Sequence, residues 1–403
     1  MRAACSARKD ERVLNRNPQA RVLVDKSAIA HNVRLFTSLM RGGKVMAVVK
    51  ADGYGAGAQA VASAALAAGA SCLGAASIDE ALALRKAGFT APILAWLNPV
   101  TADFPAALAS GIELAVPSLG HLEAIASAAR KTGTEARVHL QVDCGMAREG
   151  SAPKQWAALF AATARAVAAG SIDLVGLMGH LSHADSPDDP INAVEARRFA
   201  EAKELAHSFG LRPQTLHLAA TAAALANPAA RHDMCRVGAG LLGIDPTRSG
   251  ALRPALTLQA QIVEIRQIAA GTPVGYGHTW RAPHDTLLAN VAAGYADGIS
   301  RHLSPDARVL VGGRRCPIVG RVSMDQVVVR LGATGAHPGD YVTFYGLGRD
   351  GEPTIDDWAA WCGTIPNEVA TSLGPRVARV QTGRGGPPLS AAPFVGSALA
   401  VAA

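Results

Sequence analysis

Eight short apolar runs, at residues 45–49, 72–75, 92–97, 112–116, 138–142, 174–180, 215–218 and 234–237, alternate with alanine-rich segments of helical periodicity such as 59–68, 78–86, 120–130, 155–168 and 192–208. Each run is long enough for a strand and too short for an ordinary helix, and the valines within them favour a pleated environment. Strands that alternate with helices build parallel sheets, and eight is the number that closes a (β/α)8 TIM barrel. An open doubly wound sheet shares the alternation, but no Gly-x-Gly-x-x-Gly follows the first run to mark one. The expected fold class is therefore α/β with a barrel, the open sheet being the alternative.

Near Gly250 the pattern changes. Strand-like runs at 256–268, 286–292, 308–311, 318–329 and 341–345 follow without long helices between them. Turn signals such as Gly271-Thr272-Pro273, Gly312-Gly313 and Pro338-Gly339-Asp340 separate them. A smaller, mainly β C-terminal domain is expected over 251–382, after a barrel domain over 21–250. Helical pieces at 355–361 and 367–372 close it, with Pro366 suited to a first helical position. Residues 1–20 read as a flexible N-terminal extension and 383–403, rich in Gly, Pro and Ala, as a disordered tail.

Composition excludes several classes. The net charge of +7 is spread along the chain without a basic cluster interleaved with aromatics, so no nucleic-acid partner is expected. The six cysteines form no C-x-x-C pair, which argues against zinc and against a disulfide framework, and no metal is expected. The Arg-containing N-terminus lacks the apolar core of a signal peptide, and no stretch is long and apolar enough to span a bilayer. A cytoplasmic location follows, with no membrane partner.

In a barrel the active site lies at the C-terminal ends of the strands. Several costly residues fall there: Lys50, Arg148, His180, Thr221 and Arg236, the last leading into Val237-Gly238-Ala239-Gly240. A lysine at the end of a buried strand is expensive to desolvate, and desolvation lowers its pKa and makes it a nucleophile towards an aldehyde. One lysine, two arginines, a histidine and small-residue turns could together hold an anionic aldehyde. Taken singly, each has a bland reading as a surface cation, a structural histidine or a plain turn.

The stretch Val48-Val49-Lys50-Ala51-Asp52-Gly53-Tyr54-Gly55 resembles the pyridoxal-phosphate attachment motif of the alanine racemase family. The resemblance continues through Val142-Asp143-Cys144-Gly145-Met146-Ala147-Arg148 and Gly179-His180-Leu181-Ser182-His183-Ala184-Asp185. It reaches Val274-Gly275-Tyr276-Gly277, Gly294-Tyr295-Ala296-Asp297-Gly298 and Gly320-Arg321-Val322-Ser323-Met324-Asp325 in the second domain. It covers roughly residues 22–380, in the family's order.

The resemblance implies a homodimer with shared active sites and pyridoxal 5′-phosphate as cofactor. It implies that Lys50 carries the cofactor as a Schiff base and serves one face of a small amino-acid substrate, while Tyr295 of the other subunit serves the opposite face. Two opposed groups let a proton leave one side of Cα and return on the other. A free tyrosine pKa of about 10 is too high for a base near neutrality, and Arg236 and His180 are the cationic neighbours that could lower it. Arg236 matches the residue facing the pyridine nitrogen. Tyr54, Thr221 and the backbone N–H groups of Gly238 and Ala239 match the phosphate cradle. Arg148 and the Met324 N–H match the contacts to the substrate carboxylate. The implied activity is interconversion of L- and D-alanine, supplying D-alanine for peptidoglycan.

Two positions depart from the family pattern. Gln141 stands where many members carry a carbamate-modified lysine that orients the residue matching Arg148. Glutamine is expected to accept one hydrogen bond from Arg148, and an inorganic anion such as chloride to sit beside it. Pro375 stands where some members have a phosphate-contacting tyrosine. Because racemases of broad specificity also lack the lysine, a serine or broad-specificity amino-acid racemase is the alternative reading. A non-catalytic pyridoxal-phosphate-binding barrel, which would have no second domain, and a barrel-plus-β decarboxylase are more distant ones.

Overall fold

The structure, a computed structural model, describes residues 18–383. The flexible extension and the disordered tail expected at the ends therefore lie, but for residues 18–20 and 383, outside the described residues. The chain opens with β1 (Ala20–Asp25) and α1 (Lys26–Leu39), the junction fixed by Asp25, whose Oδ1 accepts from the Ser27 and Ala28 N–H groups. Then come β2 (Lys44–Val48), α2 (Lys50–Tyr54), α3 (Ala58–Ala67), β3 (Cys72–Ala75), α4 (Ile78–Lys86), β4 (Ile93–Ala95), α5 (Phe104–Ala109), β5 (Ile112–Val116) and α6 (Leu119–Thr132). They are followed by β6 (Ala136–Gln141), α7 (Trp156–Ala168), β7 (Ile172–Met178), α8 (Ile191–Ser208), β8 (Thr215–His217), α9 (Thr221–Ala226) and β9 (Met234–Val237).

Strands β2 to β9 form one parallel sheet in the order β8-β7-β6-β5-β4-β3-β2-β9. A parallel bridge between Ala220 and Arg236 joins its two ends, so the sheet closes into the eight-stranded barrel. The strands are almost continuously buried because helices cover the outside and side chains fill the inside. The interior is divided by chemistry. Met46, Val48, Cys72, Leu94, Ala115, Met178 and Met234 form an apolar cluster, packed under Tyr54 and Trp96. Beside it runs a line of buried polar side chains, Glu113, His139, His217 and Arg236. Glycines make room for both: a Cβ at Gly74 would press on Trp96 and Met46, and one at Gly176 would overlap the His139 ring.

The second unit comprises β10 (Leu256–Ile268), β11 (Pro273–Val274), β12 (Trp280–Arg281), β13 (Thr286–Val291), β14 (Arg308–Val311), β15 (Arg314–Val319), β16 (Val327–Leu331) and β17 (Tyr341–Tyr345). Helices α10 (Ile355–Cys362) and α11 (Pro366–Thr371) and strand β18 (Ala378–Thr382) complete it. The run read as one strand over 318–329 is two, β15 and β16, broken by a turn at Gly320 (φ 70°) that carries Met324. The long β10 bends at a bulge around Val263 and pairs with β1 and β17 before it and with β13 after it.

By position in the sequence β1 belongs with the barrel domain expected over 21–250, yet it lies between β10 and β18 in the second sheet. Its alternating burial, inward at Ala20, Val22 and Val24, suits a half-covered sheet rather than a barrel stave buried on both faces.

Candidate active site

β2 delivers Lys50 to the barrel mouth, and the chain then does something unusual. Ala51, Asp52, Gly53 and Tyr54 all take positive φ, between 52° and 63°, making one left-handed turn. Outside glycine this conformation costs roughly 1–2 kcal/mol per residue, so neighbours must hold it. Glu80 does so from α4: one carboxylate oxygen accepts from the Ala51 N–H (2.7 Å) and the other from the Ala76 N–H (2.8 Å). Asp52 accepts from the Ala58 N–H at 2.8 Å. From the second unit, the Arg379 Nε–H donates to the Gly55 carbonyl at 3.0 Å, and Gly55 lies so close to the Ala370 carbonyl that a Cβ there would overlap it. The Lys50 ammonium lies 5.8 Å from the centre of the Trp96 ring. Its pKa is lowered by burial first and by Arg148 next, against the opposing pull of Glu149 and Glu80.

Tyr54 reaches from this turn to the opposite lip. Its hydroxyl sits so close to Gly238 that any side chain there would overlap it, and burial pushes its pKa up to about 12, so it stands as a neutral donor. After Gly238 the chain enters a single 3-10 turn over Ala239–Leu242. The Gly240 N–H donates to the Thr221 hydroxyl at 3.2 Å, and Thr221 is buried at the head of α9. The four expected cradle residues, Tyr54, Thr221, Gly238 and Ala239, are thereby gathered at one place. A neutral hydroxyl, a threonine and a turn of backbone N–H groups are the donor set a phosphate monoester takes.

Arg236 is buried and has no carboxylate partner among the described residues. Its Nη atoms donate to the carbonyls of Gly179 (2.7 Å), His217 (2.8 Å) and Leu218 (3.3 Å), and to the Nδ1 atoms of His180 (3.1 Å) and His217 (3.2 Å). Burial lowers its pKa to about 10, so it remains a cation at neutral pH. Arginine has donors only, which makes both histidine Nδ1 atoms acceptors and leaves their protons on Nε2. His180 is held near pKa 3 by burial, then by Arg236, Arg148 and Lys50. The expectation that His180 is a cationic neighbour is therefore corrected: it is a neutral ring carrying its proton on Nε2.

Arg148 also differs from expectation. Its Nη2 donates to Glu149 Oε1 at 2.9 Å, not to Gln141, whose buried Oε1 has no hydrogen-bond partner. With a protein carboxylate already on Arg148, the motive for an inorganic anion beside it disappears.

Tyr295 and Met324 lie on the second unit. The Tyr295 N–H donates to Ser323 O and the Ala296 N–H to Met324 O, both at 3.0 Å. The Arg301 guanidinium lies 6.0 Å from the ring centres of both Tyr276 and Tyr295, and Arg376 bridges Asp297 (2.9 Å) and Asp325 (2.7 Å) behind them. Tyr295 is 41% and Met324 53% exposed. No hydrogen bond, ion pair or ring contact joins this cluster to Lys50 among the described residues. The fold thus brings together Lys50, Tyr54, His180, Thr221, Arg236, Gly238 and Ala239 with Arg148 nearby, and holds Tyr295 and Met324 apart on an open face. Glu80, Trp96, Glu113, Glu149, His139 and His217 also surround these residues, and no motif in the sequence singles them out. The only signal for the two histidines was their position inside apolar strand runs.

Comparison with known proteins gives a consistent picture. The family description "Alanine racemase, N-terminal domain" matches residues 24–246, and "Alanine racemase, C-terminal domain" matches residues 255–381. An alanine racemase of Mycobacterium ulcerans is 46% identical over 366 residues, covering 90% of this chain and 94% of that protein. One from Thermobifida fusca is 43% identical over 367 residues, covering 90% of this chain and 98% of that protein. Among solved structures, alanine racemase from Streptomyces coelicolor A3(2) superposes with a TM-score of 0.88 at 39% identity, covering 91% of this chain and 98% of that one. Alanine racemase from Bartonella henselae, solved with covalently bound pyridoxal phosphate, superposes with a TM-score of 0.81 at 27% identity, covering 90% and 99%.

Proposed function

The chain belongs to the alanine racemase family, and from that premise we propose how its own residues interconvert L-alanine and D-alanine. It is a pyridoxal-phosphate-dependent amino-acid racemase, and the D-alanine it makes supplies peptidoglycan. The barrel mouth fits the cofactor. Lys50 would be the amine that takes the aldehyde, and the Tyr54 hydroxyl, Thr221 and the N–H groups of Gly238 and Ala239 would take the phosphate. Arg236 would serve the ring nitrogen. When bound, the cofactor supplies an electron sink that acidifies the substrate Cα–H bond.

The rest falls to the protein. Burial lowers the pKa of the Lys50 nitrogen, which eases its release of a proton on one face of Cα. Arg236 cannot give up its proton, so a ring nitrogen set against it stays unprotonated and the sink is moderated. Tyr295 serves the opposite face. Because it is exposed on the second unit and shares no contact with Lys50, we assign it to the site of a second copy, giving a homodimer with shared active sites. There the neutral His180 Nε2–H would donate to the Tyr295 oxygen and favour its phenolate, with Arg236 behind it. Arg148, steadied by Glu149, and the Met324 N–H that arrives with Tyr295 from the second copy receive the substrate carboxylate.

The observation that carries this reading is the meeting of the lowered Lys50, the Tyr54–Gly238 contact and the carboxylate-free Arg236 at one barrel mouth. Among the described residues no helix is long and apolar enough to cross a membrane, and a cytoplasmic location suits a cofactor-loaded enzyme of reduced thiols. Purified protein should convert either enantiomer of alanine to the racemate, read by chiral analysis, with L-serine and larger amino acids converted more slowly. The Lys50→Ala variant should lose both turnover and the visible absorption band of the bound cofactor. A retained band would remove Lys50 from its role.

A further inference from the structure

Among the described residues the buried cation at the heart of the site has no adjacent anion, yet one lies at the far end of the polar line that crosses the barrel. His217, whose Nδ1 accepts from Arg236, faces His139 Nδ1 with its Nε2 at 2.9 Å. His139 Nε2 in turn faces Glu113 Oε2 at 3.0 Å. Glu113 is clasped by Arg137, half-exposed at the start of β6, through Nη2 (2.8 Å) and Nε (3.1 Å). Glu113, His139 and His217 are all buried, and Gly176 is the position that leaves room for the His139 ring.

The directions of these bonds are forced from both ends. Arg236 only donates, so His217 Nδ1 accepts and its proton is on Nε2. His139 Nδ1 must then accept, which puts its proton on Nε2, pointing at Glu113. An ionised carboxylate only accepts, so the line ends consistently. Burial pushes the Glu113 carboxyl up, but its bonds to His139 and Arg137 outweigh that and hold it below the usual carboxylate range.

We propose that Glu113 is a positioning residue for Arg236, acting through His139 and His217. The carboxylate fixes both imidazoles in one tautomer and polarises them in series. His217 Nδ1 thereby becomes a stronger acceptor for the Arg236 guanidinium than an isolated neutral ring. The arrangement holds Arg236 in place without putting a carboxylate next to it, where that carboxylate would compete with a ligand for its remaining donor. A glutamine at 113 could present either its oxygen or its amide to His139. Both tautomer chains would then become available, and one of them aims a His217 N–H at Arg236.

The inference rests on the racemase reading for its catalytic consequence but not for its structural one, and the test separates the two. Protein labelled with 15N only at histidine, free of cofactor, should show His139 and His217 as Nε2–H tautomers at pH 8. The signals are assigned by loss in His139→Asn and in His217→Asn. Glu113→Gln should populate the second tautomer in both rings, and Glu113→Asp, which keeps an acceptor-only group, should restore the first. In the holoenzyme Glu113→Gln should lower kcat about tenfold with KM for alanine nearly unchanged. It should also raise the keto acid released per racemisation turnover by about tenfold, as a loosened Arg236 lets the substrate amino group pass to the cofactor aldehyde carbon in exchange for its oxygen. His139→Asn, which keeps an acceptor for His217 but cuts the link to Glu113, should behave alike if Glu113→Gln does not fold. Unchanged tautomers in Glu113→Gln overturn the line itself. Changed tautomers with unchanged kcat and keto-acid ratio overturn its bearing on Arg236. A wild-type protein without turnover overturns the racemase reading while the tautomer result still stands.

Discussion

His180 accepts from Arg236 through Nδ1 and carries its proton on Nε2, so its usefulness depends on its not being charged. That state has a signature in stability. The free ring titrates near 6.5 and the folded one near 3, so between those values the unfolded chain binds more protons and stability rises with pH. The His180 contribution is fully present above about pH 6.5 and is lost as pH falls towards 3. Urea unfolding midpoints at pH 7.5 and 5 should therefore drop less in His180→Gln than in wild type, by on the order of 1 kcal/mol after discount for partial exposure. An equal drop would mean that the ring is already protonated in the fold. Read from the sequence, His180 is a cation that acts alongside Arg236; the fold makes it neutral, because charge state follows from burial and from which nitrogen meets an arginine. Arg148 teaches the same point. Its partner is its own neighbour, Glu149, visible in the sequence but indistinguishable there from a solvent-facing carboxylate.

At the scale of elements, the left-handed turn after β2 turns an apolar strand into a site. The glycines around Tyr54 signalled a break in the run, but nothing in Ala51 announces positive φ, and Asp52 only tolerates it better than most residues do. The turn exists because of what clasps it, and Glu80 arrives from a different helix. Glu80→Ala should leave two N–H groups without acceptors and lower stability by about 1 kcal/mol, since Ala51 is exposed and water takes up part of the loss. Glu80→Gln, with one amide oxygen, should fall between. The same variants should bind the cofactor more weakly in equilibrium titration, in the same order. Full retention of affinity would show that the turn holds its shape without Glu80. The eight barrel strands, in contrast, were legible from alternation alone, because a stave buried on both faces leaves a continuous apolar run.

On the dimer we propose, the described residues carry two half-sites, one around Lys50 in the barrel and one around Tyr295 in the second unit. If each active site draws one half from each of two copies, two individually dead variants should rescue each other. Lys50→Ala and Tyr295→Phe, unfolded together and refolded as a mixture, would form half their dimers as hybrids, each with one intact site, and recover about a quarter of wild-type activity. No recovery would mean that each site is complete within one chain. Neither half-site's separation was readable from local pattern; only the ordered resemblance across both units suggested it. The second sheet also hides a matter of timing. β1 is bounded by β10 on one side and by β18, which follows the whole barrel in sequence, on the other. As the protein leaves the ribosome, the barrel can close once β9 has emerged, whereas β1 must wait for β18 before its sheet is whole. The slowest step in making this protein should therefore be the docking of β1 beside β18, after the barrel between them has already formed.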